Sequence, residues 1–135
     1  MRSISLFAFA LAAVALSGSA TADPILECRV LAGDDMAVRD CLRTQLDISY
    51  GAMEEAQKLA RGTARQLDDR TGTQMAIPGV EASQHAWEAY RDVECKTMAV
   101  FVAEGLPAET AQVACEIRLT RARTDTLLRF AGQGG

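Results

Sequence analysis

The stretch VEASQHAWEAYRDVECKTMAVFVAEGLPAETAQVACEIRLTRARTDTLLRF, residues 80–130, decides the fold. Ala, Glu, Arg and Leu dominate it and no β-branched run interrupts it, which favours helix over strand. Gly105 is a good stop for a helix running from about Val80 to Glu104. Pro107 then suits the first turn of a further helix reaching about Phe130. Two helices joined by so short a connection should lie antiparallel. On a wheel of about 100° per residue the first is amphipathic. Glu81, His85, Glu88, Asp92 and Lys96 share a polar stripe, and Val80, Trp87, Met98, Phe101 and Val102 lie opposite. Gln84, Arg91 and Glu94 fall inside the apolar sector, where a charge needs a partner. The last helix carries two apolar strips, Val113, Ile117, Thr124 and Leu128, and Cys115, Leu119, Ala122, Thr126 and Phe130. Glu116 and Arg123 sit between the strips and are expected to meet another helix, whereas Arg118, Arg121 and Arg129 form a line expected to be solvated.

Upstream, Gly33 precedes Asp34-Asp35, a helix-capping pair. Apolar and small residues from Val38 and Leu42 through Met53, Ala56 and Ala60 to Leu67 then recur at helical spacing, so one long helix is expected over about 35–70, with a possible break at Ser49-Tyr50-Gly51. Thr71 to Gly79, TGTQMAIPG, reads as a loop. The fold expected is therefore all-α, a small antiparallel bundle of three to four helices, ending in a frayed Gly132–Gly135 tail.

The N-terminus specifies a compartment. Met1-Arg2, the apolar stretch Leu6–Leu16 and the small-residue run ending Ala20-Thr21-Ala22 have the layout of a secretory signal peptide. The apolar stretch is too short to span a bilayer, which takes roughly 20 residues. Cleavage after Ala22 would leave a single domain, residues 23–135, with 13 Lys and Arg against 18 Asp and Glu, a formal charge of −5. Such a chain does not suit nucleic acid, and it would attract a basic partner. Glu27 before Cys28 does not fit lipid attachment, so a periplasmic or secreted protein without membrane insertion is expected.

The four cysteines, Cys28, Cys41, Cys95 and Cys115, all follow the cleavage site, and an even count in a small exported domain reads as two disulfides. Four cysteines allow three connectivities. Cys95 and Cys115 stand equally far from Gly105 and so at one height in an antiparallel hairpin, which favours Cys95–Cys115 and leaves Cys28–Cys41. The spacings supply neither a C-x-x-C redox pair nor a zinc set. His85, the only histidine, lies among carboxylates on the polar stripe and lacks a companion nucleophile. No catalytic residue, metal or cofactor is therefore assigned.

Gln84-x-x-Trp87-x-x-Tyr90-Arg91-Asp92-x-x-Cys95 resembles the central motif of the LprI-type lysozyme-inhibitor N-terminal domain family, and Cys115-x-x-x-Leu119-Thr120-x-x-Arg123-x-x-x-Leu127 is similar to its C-terminal motif. Cys28, Cys41 and Tyr50 fit its N-terminal positions, so the resemblance runs from about Cys28 to Leu128. It implies an exported protein that binds a protein partner, a basic lysozyme, and blocks its cleft. The alternative is a helical envelope module that binds another periplasmic protein or a cell-wall component through a helix face. The motif residues Gln84, Trp87, Tyr90, Arg91, Asp92, Leu119, Thr120 and Arg123 then serve as recognition surface or as scaffold, in which Arg91 and Arg123 pair with Glu116, Glu94 or Asp92, Arg91–Glu116 being the preferred pair. Exposure favours the 71–79 loop and its flank as the contact, through Asp68, Asp69, Arg70, Gln74, Met75 and Ile77.

Overall fold

The computed structural model describes residues 22–102 and 105–132. Four helices follow one another: α1 (Pro24–Leu31), α2 (Asp35–Thr71), α3 (Ala76–Phe101) and α4 (Ala108–Gly132). All of the expected signal peptide, residues 1–22, except Ala22, and the tail beyond Gly132, lie outside the described residues. No helix among those described is long and apolar enough to cross a membrane.

α2 is one unbroken helix of 37 residues, about 55 Å long at 1.5 Å per residue. Asp34 caps it by accepting the Ala37 N–H at 2.9 Å. The expected break at Ser49-Tyr50-Gly51 does not occur. Ser49 donates its hydroxyl back to the Gln45 carbonyl at 2.7 Å, and an exposed mid-helix glycine costs only about 0.5–1 kcal/mol. Burial of Leu42, Met53 and Ala56 on either side offsets that. Gly72 ends the helix in the left-handed conformation, φ 69°, and its N–H reaches the Asp68 carbonyl.

The loop expected over 71–79 is shorter, because α3 begins at Ala76. Pro78 and Gly79 look like loop residues, but a proline in the first helical turn has no intrahelical N–H to lose. The cap also comes from far away in sequence. Asp68 accepts the N–H groups of Met75 and Ala76 on Oδ1 (3.0 and 2.9 Å) and that of Ile77 on Oδ2 (3.1 Å). At its other end α3 stops at Phe101, and Glu104 lies outside the described residues. Pro107 immediately precedes α4, its carbonyl accepting the Ala111 N–H.

α2 and α4 run side by side in the same direction, since Arg43 meets Glu109 near their starts and Thr63 meets the Ala131 carbonyl near the end of α4. α3 runs against both. Cys95–Cys115 ties α3 to α4 with Cα atoms 5.4 Å apart, and Cys28–Cys41 ties α1 to α2 at 5.7 Å. α1 itself was not foreseen. Asp23 caps it through the Ile25 N–H and Pro24 opens it, so the Asp-Pro pair carried that signal.

The core divides in two. One cluster joins Cys28, Val38, Leu42, Ala114 and Ile117. The other joins Met53, Ala56, Ala60 and Leu127, with Tyr50, Val80 and Trp87 against it. Ala56, Ala60 and Ala64 put only methyl groups toward the neighbouring helices, which lets the backbones approach. The buried line of α4 runs Ala114, Ile117, Thr120, Arg123, Leu127, with Cys115 beside it, so the expected strips are buried at Ile117 and Cys115 but not along their whole length. Leu128 and Phe130 are exposed, because the helix turns its Leu127 edge to the core.

Candidate functional site

Between the two apolar clusters lies a polar layer built by the motif residues. Gln84 and Arg123 are both buried. Nε of Arg123 donates to Gln84 Oε1 at 2.9 Å, and Nη2 donates to Ser83 Oγ at 2.9 Å. Gln84 Nε2 in turn donates to Glu88 Oε1 at 3.0 Å. A carboxylate at the surface thus balances a guanidinium in the interior through one amide. Burial lowers the pKa of Arg123 and the field of Glu88 partly opposes this. Thr120 belongs to the same layer, fully buried, and its hydroxyl has no hydrogen-bond partner among the described residues.

Arg91 forms the outer part of the layer. Its guanidinium lies 5.2 Å from the ring centroids of both Tyr50 and Trp87, within the range of cation–π attraction. Nε and Nη2 both donate to Asp92 Oδ1, at 3.0 and 2.6 Å. The preferred Arg91–Glu116 pair therefore does not form. Asp92 is the next residue on the same helix and takes both donors, while Glu116 accepts from Gln112 at 2.9 Å. Burial raises the pKa of Tyr50, against the opposing field of Arg91.

The remaining motif residues divide by exposure. Leu119 is half-buried, whereas Tyr90 is 53% exposed and holds nothing in this layer. His85 projects into solvent with Nδ1 3.8 Å from Glu88 Oε2. Arg121, expected to be solvated, instead grips Glu27 of α1 with two donors at 3.0 Å and reaches Gln45 of α2 at 3.0 Å. That three-helix clasp could not be read from the sequence, because it depends on α1.

The six residues singled out around the α2–α3 connection gather at one end of the bundle, beside an open cleft of about 500 Å³. Asp68 is buried there and spent on the α3 cap. Its carboxyl pKa is held down, chiefly by the Ala76 and Ile77 N–H groups, with desolvation opposing. Asp69, Arg70, Gln74 and Met75 are exposed, Met75 by 75%, and Ile77 is half-buried against the cleft. Thr73, within the expected 71–79 contact loop, lines the same cleft, and so does Arg65, which sequence reasoning missed. No cluster of metal-ligating side chains occurs among the described residues.

The model of the family described as lysozyme inhibitor LprI matches residues 28–127. The chain belongs to that family. The match begins at Cys28 and ends at Leu127, so it takes in both disulfides and the whole polar layer. No curated protein and no solved structure matches the chain. The two disulfides of this LprI-family chain fit an extracytoplasmic protein.

Proposed function

We propose that this protein is an exported inhibitor of lysozyme which blocks the enzyme's cleft with the α2–α3 end of its bundle. Membership of the LprI family carries the reading. The shape of that end supports it. Gly72 turns the chain, Asp68 fixes the first turn of α3 with three hydrogen bonds, and the residues between project as a short, held tip. A tip already ordered before binding loses little entropy on contact.

The chain's 18 acidic against 14 basic residues favour approach to a basic lysozyme at long range. The tip itself is mixed, with Asp69 beside Arg65 and Gln74, so close contact rests on shape and hydrogen bonding more than on net charge. The buried motif residues Gln84 and Arg123 act as scaffold in this reading, and cleavage after Ala22 delivers the mature chain to the periplasm or beyond.

Turbidity of a cell-wall suspension treated with a basic lysozyme tests it. Met75→Ala with Gln74→Ala at the tip should raise the half-inhibitory concentration at least about tenfold, the loss expected of roughly 1.4 kcal/mol of contact. Thr44→Ala, at the other end of α2, should leave it unchanged. Equal inhibition by all variants would remove the tip from the interface.

A further inference from the structure

The outer face of α3 is uncharged along its length. Gly79, Ala82, Ala86 and Ala89 are exposed in its first half. Its second half exposes Tyr90 by 53%, Val93 by 67%, Val100 by 76% and Phe101 by 81%. Thr97 lies among them and turns its hydroxyl back to the Val93 carbonyl at 2.9 Å, which leaves its methyl group outward. Three- and four-residue steps keep these positions on one stripe, while His85, Asp92 and Lys96 stand to its side. Apolar groups this exposed, in an unbroken stripe, mark a contact surface.

The order of residue sizes along the stripe indicates what covers it. Spacings run three, four, three from Gly79 to Ala89, and three, four, three again from Tyr90 to Val100. From Gly79 to Val100, leaving Phe101 beyond its end, the stripe therefore has the same spacing in both directions about a point between Ala89 and Tyr90. A second copy running antiparallel across a two-fold axis at that point would set Gly79 level with Val100 and Ala82 level with Thr97. It would likewise set Ala86 level with Val93 and Ala89 level with Tyr90. Each small residue then meets a larger one, the self-complementary arrangement an isologous interface requires.

We infer that the protein forms an antiparallel homodimer through the outer face of α3, with its two-fold axis between Ala89 and Tyr90. This gives Tyr90, idle in the polar layer, a role beside its own symmetry mate. The stripe spans about 33 Å at 1.5 Å per residue and roughly 11 Å in width, so each copy buries on the order of 350 Å². That falls short of the roughly 800 Å² per partner of a standard stable interface, so the dimer is weak and concentration-dependent. Both copies are acidic, so added salt strengthens it, opposite to charge-steered lysozyme binding. The inference is independent of lysozyme inhibition.

Sedimentation equilibrium of the oxidised, exported protein from about 10 μM to about 1 mM tests it. The wild type should approach twice the monomer mass, while Val93→Glu stays monomeric with an unchanged melting midpoint. Ala86→Val and Val93→Ala should each weaken association at least about fivefold, the first by crowding and the second by leaving a gap. The double variant should return to within about twofold of wild type, because the two positions exchange sizes across the axis. A wild type that stays monomeric at the highest concentration would overturn the inference and leave the face to a different partner. So would a Val93→Glu protein that associates like wild type, or a double variant no better than the single ones.

Discussion

Arg123 donates from Nε to the side-chain oxygen of Gln84 at 2.9 Å, joining α4 to α3 inside the bundle. The chain places Gln84 just ahead of Trp87 and Arg123 eight residues beyond Cys115, so the two motifs meet in one contact. Both side chains are buried, so each depends on the other. Arg123→Met alone should cost about 2–3 kcal/mol, since hydrogen bonds to charged groups are worth about that and Gln84 loses its donor. Gln84→Leu alone should cost a similar amount by leaving the guanidinium short of an acceptor. The double variant should be at least about 1 kcal/mol more stable than the sum of the two losses predicts. Urea unfolding of the four proteins measures the coupling, and strict additivity would deny it.

Thr120 offers a gain rather than a loss. Its hydroxyl is buried and has no partner among the described residues. Valine has nearly the same shape and no polar atom to desolvate. Thr120→Val should therefore stabilise the fold by about 1 kcal/mol and raise the melting midpoint by several degrees. A lower midpoint would mean that the hydroxyl is bonded in solution.

The Arg91 guanidinium between Tyr50 and Trp87 should be visible to fluorescence, since Trp87 is the only tryptophan. Arg91→Ala should cost about 1–2 kcal/mol through the lost contact with two rings, and it should shift or brighten the Trp87 emission. Arg91→Lys should recover only part of this, because an ammonium lacks the flat face that lies on the rings. Emission and stability identical to wild type in both variants would argue against the stacking.

Asp68 gives the tip a pH dependence of known sign. Its carboxyl pKa is lowered in the folded protein because backbone N–H groups of α3 favour the charged form. The stabilisation is thus fully present above the ordinary aspartate value near 3.8 and is lost as pH falls through the lower folded value. The stability gap between wild type and Asp68→Ala should be wide at about pH 7 and should narrow below about pH 3. Hydrogen exchange at Met75, Ala76 and Ile77 should quicken in the variant. A gap that does not change with pH would assign the cap to something other than the charge.

Much of the fold was legible because it rests on local pattern. Gly105 and Pro107 mark the α3–α4 turn, and the equal spacing of Cys95 and Cys115 from it gives their pairing. Position on the wheel was enough to bury Gln84. What stayed hidden depended on long-range partners. Asp68 caps a helix that starts eight residues later, so α3 begins before its own sequence announces it. Arg121 reads as a solvent residue until α1 brings Glu27 to it. The Arg91 pairing is local instead: it takes its sequence neighbour Asp92 rather than Glu116, which helix heights alone do not resolve.

The most direct test of the proposed activity is lysis of a bacterial cell-wall suspension by a basic lysozyme, with the oxidised protein titrated in at low and at physiological salt. Protection should rise with dose, weaken as salt screens the long-range attraction, and disappear when Cys28–Cys41 and Cys95–Cys115 are reduced. Undiminished lysis at a large molar excess of the folded, oxidised protein would contradict the account.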